Sequence, residues 1–86
     1  MLFDFGAPQP VSMWMKNTIL SLDMLFINAD GTIRRIAAHA VPGSLQNIES
    51  GGPVRAVLEL AAGTADRLDV RVGDKVLGQE FGSSAP

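Results

Sequence analysis

Apolar residues along this chain come in short runs, and Gly, Pro, Asn or Asp interrupts them every few positions. That punctuation predicts a β-rich domain. Leu2, Phe3 and Phe5 read as a brief strand. Gly6-Ala7-Pro8-Gln9-Pro10 reads as a break, because a proline has no N–H to give a sheet. Val11 to Thr18 reads as extended or irregular. The clearest strand is Ile19 to Asn28, with Leu20, Leu22, Met24 and Phe26 on one face and Ser21, Asp23, Leu25 and Ile27 on the other. Both faces are mainly apolar, so this strand is expected in the middle of a sheet, covered on both sides. Asn28-Ala29-Asp30-Gly31 is a turn signal, and Thr32 to Val41 should return beside the strand as a hairpin. Arg34 and Arg35 then fall on opposite faces.

Pro42 to Pro53 reads as the longest loop, and long loops in small domains are places to look for function. Val54 to Leu60 is the next strand, with Val54, Ala56, Leu58 and Leu60 on one face. Thr64 has the character of a helix N-cap, and Asp66 in the first turn suits the positive helix end. One short helix is therefore expected near Thr64–Leu68. Val70 to Lys75 reads as a turn feeding a last strand, Lys75 to Gln79, and residues 82–86 read as a disordered polar tail. The fold expected is one mainly β domain over residues 1–81, a small barrel-like or two-layer sandwich structure.

Size and charge narrow the function. The chain has 86 residues, 47% hydrophobic and 19% charged, with a net charge of −2. One modest core fits that length, and a large internal active-site cavity does not. The clustered Lys and Arg of nucleic-acid readers are absent. The chain has no Cys, which excludes disulfides, Cys-ligated zinc, iron–sulfur clusters and thiol nucleophiles. No apolar run approaches the roughly 20 residues that span a bilayer. The start, Met1 to Phe5, has no basic region and meets a turn at Gly6, unlike a signal peptide. No nucleotide, hydrolase or metalloprotease motif occurs. His39 is the sole histidine and reads as a polar residue on a hairpin strand rather than a metal ligand. No cofactor and no metal is expected.

The chemistry worth weighing lies in Lys16-Asn17-Thr18 with Trp14 before it and Asp23 after it. In one reading, Trp14 is a stacking surface, and Lys16 and Asn17 are donors to an anionic or carbonyl ligand. In the other, Asp23 is buried and Lys16, Asn17 or Thr18 satisfies it, since an unpaired buried carboxylate is costly. Glu59 is a second carboxylate inside an apolar strand. If it converges with Asp23, the pair has acid–base potential. A salt bridge to Arg35 or Lys16 is the plainer role. Asp4 and Asp74 sit beside turns, where they are expected to accept from backbone donors.

The ordered blocks Met1-Leu2-Phe3, Trp14-Met15-Lys16-Asn17-Thr18, Leu22-Asp23, Asp30-Gly31, Val57-Leu58-Glu59-Leu60-Ala61-Ala62-Gly63 and Val72-Gly73-Asp74 resemble a known bacterial and archaeal family, domain of unknown function 192. The resemblance runs from Met1 to about Leu77. It implies a small, mostly β protein of barrel-like or sandwich-like form with a short helix. It also implies an exported, periplasmic or envelope location, since many bacterial members carry a signal peptide or lipid-anchor signal. It supplies no catalytic residues, and the family's recurring polar positions fall on Lys16, Asn17, Thr18, Asp23 and Glu59. Members usually have a further segment before the Met-Leu-Phe block. Without it, an exposed sheet edge is available for pairing two copies.

The reading that results is a non-catalytic binding or accessory module, with Trp14, Lys16, Asn17, Thr18, Asp23 and Glu59 as candidate ligand residues. Its partner is a small ligand or a protein, not nucleic acid. The alternative is a small hydrolase- or lyase-type enzyme using Asp23, Glu59 and Lys16.

Overall fold

The computed structural model describes residues 1–76. Four strands, β1 (Leu2–Met13), β2 (Leu22–Ile27), β3 (Ile33–Ala40) and β4 (Ile48–Ala61), are followed by one helical turn, α1 (Thr64–Arg67). They form a single antiparallel sheet in the order β1-β4-β2-β3. The mainly β architecture with one short helix is therefore the one its sequence predicts. The expected end of the domain at residue 81, the polar tail and most of the last strand lie outside the described residues.

β2 holds the interior position that its two apolar faces require. Asp23 to Ile27 are all buried. Met24 and Phe26 join Val11, Met15, Val54 and Val57 in one core cluster, while Leu25 and Ile27 join Ile33 and Ala56 in a second. Each of these side chains larger than Ala56 contributes about 1.5–3 kcal/mol on burial, so the two layers dominate stability. The turn between β2 and β3 closes as read. Gly31 takes φ 89° and donates to the Asn28 carbonyl at 2.9 Å, and the Asn28 amide donates to the Thr32 carbonyl at 2.8 Å.

Three boundaries differ from the sequence expectation. β1 runs straight through the Gly-Pro stretch. It is an edge strand, so a proline there leaves no inner donor unfilled. The stretch still breaks the ladder: the register jumps from Asp4↔Ala56 to Gln9↔Val54, so residues 5–8 bulge opposite Arg55 alone. β2 starts at Leu22 rather than Ile19, and Ile19 and Leu20 are 89% and 71% exposed. The expected 42–53 loop is shorter, because β4 already begins at Ile48 and pairs with Met13 and Ser12.

This long β4 curls the sheet towards a barrel. Its first half returns to β3, where Arg34 donates to the Gly51 carbonyl at 3.1 Å and Arg35 donates to the Glu49 carbonyl. Arg35 also lies over the Phe26 ring at 5.9 Å. Ser50, 2% exposed, fixes the bend by accepting from the Val11 amide at 3.0 Å and donating to the Gly52 carbonyl at 2.6 Å. Beyond α1, the Gly73 amide and Asp74 carbonyl bond to Ile33, and Lys75 bridges Thr32. The expected turn at Val70–Lys75 is thus present, and it covers the start of edge strand β3.

Candidate ligand-binding surface

Met15 is the anchor of the Trp14–Thr18 segment. Its side chain is fully buried in the first core cluster. Its carbonyl accepts from the Thr18 amide and from the Gly43 amide, both at 3.0 Å, and its amide donates to the Ser44 carbonyl at 3.3 Å. The first bond closes a tight turn in which Asn17 takes φ 63°, a conformation asparagine tolerates better than most residues. The other two bonds tie this turn to the one at Val41–Ser44, itself closed by Ser44 N–H to Val41 O at 3.2 Å. Further along, Ser21 Oγ donates to the Ala40 carbonyl at 2.9 Å. Segments 14–21 and 40–44 are therefore stitched side by side.

On this base Trp14 stands 51% exposed, with Lys16 Nζ at 5.2 Å from its ring centroid. That distance lies within the range of a cation–π contact. Lys16 and Asn17 are exposed, and Thr18 is half-buried. Four of the candidate residues thus share one surface, beside the 41–45 turn.

Asp23 belongs elsewhere. It is 1% exposed and lies on the opposite face of β2 from Met24. Neither Lys16, Asn17 nor Thr18 satisfies it, contrary to the expectation from sequence. Backbone amides do. Between Leu22↔Ala40 and Met24↔Ala37 the strand β3 has two residues against one of β2, a bulge at Ala38–His39 with His39 at φ 54°. The displaced His39 amide donates to Asp23 Oδ1 at 3.0 Å, and the Ala65 amide at the start of α1 donates to Oδ2 at 3.0 Å. Burial works to raise the Asp23 pKa, but the amides of Ala65, His39 and Gly63 outweigh it and hold the carboxyl below its ordinary value. The helix N-cap is accordingly Gly63, at φ 90° and without a side-chain cap, and Thr64 is already the first helical residue. The cap expected from Thr64 comes instead from a strand 42 positions earlier.

Glu59 pairs with Met24 across β4 and β2, whereas Asp23 pairs with Leu60. In an antiparallel pair facing residues share a face, so Glu59 and Asp23 point to opposite sides of the sheet. Lys16 lies on Trp14 and Arg35 on Phe26, and neither forms an ion pair with Glu59. The Asp23–Glu59–Lys16 constellation is not assembled. Glu59 instead lines an open cleft of about 430 Å³ with Met1, Leu20, Leu22 and Ala61. His39 sits at the β3 bulge with Nε2 4.0 Å from Asp66 Oδ2. Among the described residues no three His, Asp or Glu side chains gather as a metal site. The turn carboxylates act as expected: Asp4 accepts from Gly6 N–H and Asp74 from Arg71 N–H, both at 2.9 Å. The Arg55 guanidinium, then the Gly6 amide, hold Asp4 below its ordinary pKa.

Sequence reasoning missed the buried Ser50 and the two arginines that clasp the β4 arch. Gly51-Gly52 was the signal for them. Gly52 has φ 152°, and an added Cβ would fall within the Arg34 guanidinium.

Together these features define a small single-sheet β domain that carries an aromatic–cationic turn on its surface and seals the buried Asp23 carboxylate with backbone amides. The chain belongs to the family of domain of unknown function 192, described as an uncharacterised ACR, which matches residues 1–78. No curated protein matches it at a significant level. A solved structure from Sinorhizobium meliloti 1021, provisionally named a transcription regulator, is 60% identical, with a TM-score of 0.90 over 93% of this chain. One from Novosphingobium aromaticivorans DSM 12444, of unknown function, is 40% identical, with a TM-score of 0.84 over 87% of this chain. The chain spans 62% of the first relative's length and 54% of the second's.

Proposed function

We propose that this domain is a non-catalytic binding module whose ligand surface is the Trp14–Thr18 turn with the adjoining Val41–Leu45 turn. The observation that supports this is the contrast between Met15 and its neighbours. Met15 is 0% exposed and all its backbone groups are bonded, while Trp14 and Lys16 beside it stand in solvent as a stacked pair. Burying Met15 and exposing Trp14 is a wasteful arrangement for a core and a suitable one for a preorganised contact surface. The ligand class that fits is an anionic or carbonyl-bearing group, with Lys16 and Asn17 as donors and the indole as an apolar platform. Asp23 serves this surface indirectly, by holding β2, β3 and α1 together. Glu59 lines a separate cleft and stands outside this surface.

We infer an exported, envelope-associated place of work from the family likeness, and fractionation of cells expressing the gene tests it. The name carried by the Sinorhizobium relative suggests a regulatory role, but the domain's acidic balance and lack of a basic stripe argue against direct contact with nucleic acid.

Native mass spectrometry of protein purified without stripping tests the binding reading. A small-molecule adduct on the wild type that is absent from Trp14→Ala supports it. An adduct that survives Trp14→Ala unchanged places the site elsewhere.

A further inference from the structure

The surface that carries Trp14 has an unusual charge distribution. There is no Asp or Glu between Asp4 and Asp23, and none between Asp30 and Glu49, in a chain whose net charge is −2. Lys16 is the only charged side chain in residues 5–22, and residues 36–48 contain no Lys, Arg, Asp or Glu at all. These are the two stretches that the Met15–Gly43, Met15–Ser44 and Ser21–Ala40 bonds bring together. On them stand Trp14 at 51%, Ile19 at 89%, Leu20 at 71%, Val41 at 67% and Leu45 at 66% exposure. The nearest acid along β4, Glu49, accepts a hydrogen bond from Ser12 Oγ at 3.1 Å.

We propose that this face docks on the interface of an anionic phospholipid bilayer, with Val41, Leu45, Ile19 and the Trp14 indole at the acyl boundary and Lys16 among the headgroup phosphates. The inference rests on the reading of Trp14–Thr18 as the ligand surface and names its partner. Three observations favour a bilayer over a protein groove. The contact elements are two turns, and the cleft beside Glu59 shares only Leu20 and Ser21 with the stretches that carry them. Five of their backbone donors, at Met15, Thr18, Gly43, Ser44 and Gln46, are bonded within the chain, which lowers the cost of bringing these turns into a drier medium. A tryptophan beside a lysine is also the pairing that suits the boundary between acyl chains and headgroups. The acids lie on other segments, Glu49 and Glu59 at the margins, so an anionic surface repels the rest of the molecule and orients this acid-poor face towards itself.

Trp14 is the only tryptophan and the chain has no tyrosine, so intrinsic emission reports on this surface alone. The test mixes the full chain with vesicles of phosphatidylcholine, with vesicles containing phosphatidylglycerol, and separately with soluble glycerol phosphate. The expected result is a blue shift on the anionic vesicles that brominated acyl chains quench. The paired variant Val41→Asp with Leu45→Asp, both at exposed positions, should lose at least tenfold in partitioning while keeping its fold by circular dichroism. Lys16→Gln should lose about fivefold on anionic vesicles and little on neutral ones. Emission that responds to glycerol phosphate but not to vesicles overturns the bilayer and leaves the binding module standing. Emission that responds to neither, together with no adduct that depends on Trp14, overturns both. Partitioning that survives the paired aspartates overturns the assignment of this face. A mass-doubled species in sedimentation that the same aspartates dissolve overturns it too, in favour of contact between copies.

Discussion

Replacing Asp23 by Asn keeps the shape of the side chain and removes its charge, so it isolates what the carboxylate does. In the wild type two oxygens serve the His39 and Ala65 amides at 3.0 Å each, with the Gly63 amide adding a further favourable contact. An asparagine has one acceptor oxygen, so at least one amide must face an NH2 group. Hydrogen bonds to a charged group contribute about 1.5–3 kcal/mol each, and a stranded buried donor costs about 1–3 kcal/mol. The expected loss is therefore about 3–5 kcal/mol, a large part of the roughly 4–13 kcal/mol typical of a domain this long. At about 4–8 °C per kcal/mol, Tm should fall by at least about 12 °C.

The pH dependence sharpens the test. The Asp23 pKa is depressed in the folded state, so its contribution is fully present above the unfolded value of about 3.9 and is lost as pH falls through the folded value. Urea unfolding followed by circular dichroism from pH 7 to pH 3 should show a gap between wild type and Asp23→Asn that is constant to about pH 5 and narrows below about pH 4. A gap under about 1 kcal/mol at neutral pH, or one equally wide at pH 3, would falsify the clamp.

Other substitutions separate scaffold from surface. Trp14→Ala should cost less than about 1 kcal/mol in thermal unfolding, because half the ring is already in water and an exposed cation–π contact is worth little. Met15→Ala should cost about 2–4 kcal/mol and speed hydrogen exchange at the Thr18 and Gly43 amides, since the cavity and the released turn come together. Gly52→Ala should destabilise by about 1–3 kcal/mol, through its φ of 152° and through displacement of Arg34. In an Arg34→Ala background the same change should cost measurably less, and strictly additive costs in that cycle would show that the two residues do not meet.

Much of the scaffold was legible because it depends on neighbours in sequence. The Asn28–Gly31 turn and the doubly apolar β2 announce a central hairpin without any tertiary information. The edge strand was obscured because Pro8 and Pro10 forbid a central strand but not an edge one, and which strand lies at an edge is a property of the whole sheet. The shortened loop was hidden for a related reason: Gly51-Gly52-Pro53 reads as loop composition, yet here it forms the bend of a strand whose start is fixed by Ser12 and Met13 of β1. Asp23 was recognisable as a buried carboxylate needing partners. Its partners were not, because they are backbone amides freed by a bulge in β3 and by the first turn of α1, and neither has a side-chain signature. Trp14, Lys16 and Asn17 could be grouped from their adjacency. Their separation from Asp23 and Glu59 required the register of β2 on β4.

The central claim is that ligand contacts centre on the two stitched turns and not on the Glu59 cleft or the Asp23 clamp. Amide chemical-shift mapping of the ¹⁵N-labelled chain against short-chain phosphatidylglycerol tests it most directly. Shifts should concentrate at residues 14–19 and 41–45, with the Trp14 indole N–H among the largest. Shifts concentrated at Leu22 and Glu59–Ala62, with residues 14–18 unmoved, would contradict it.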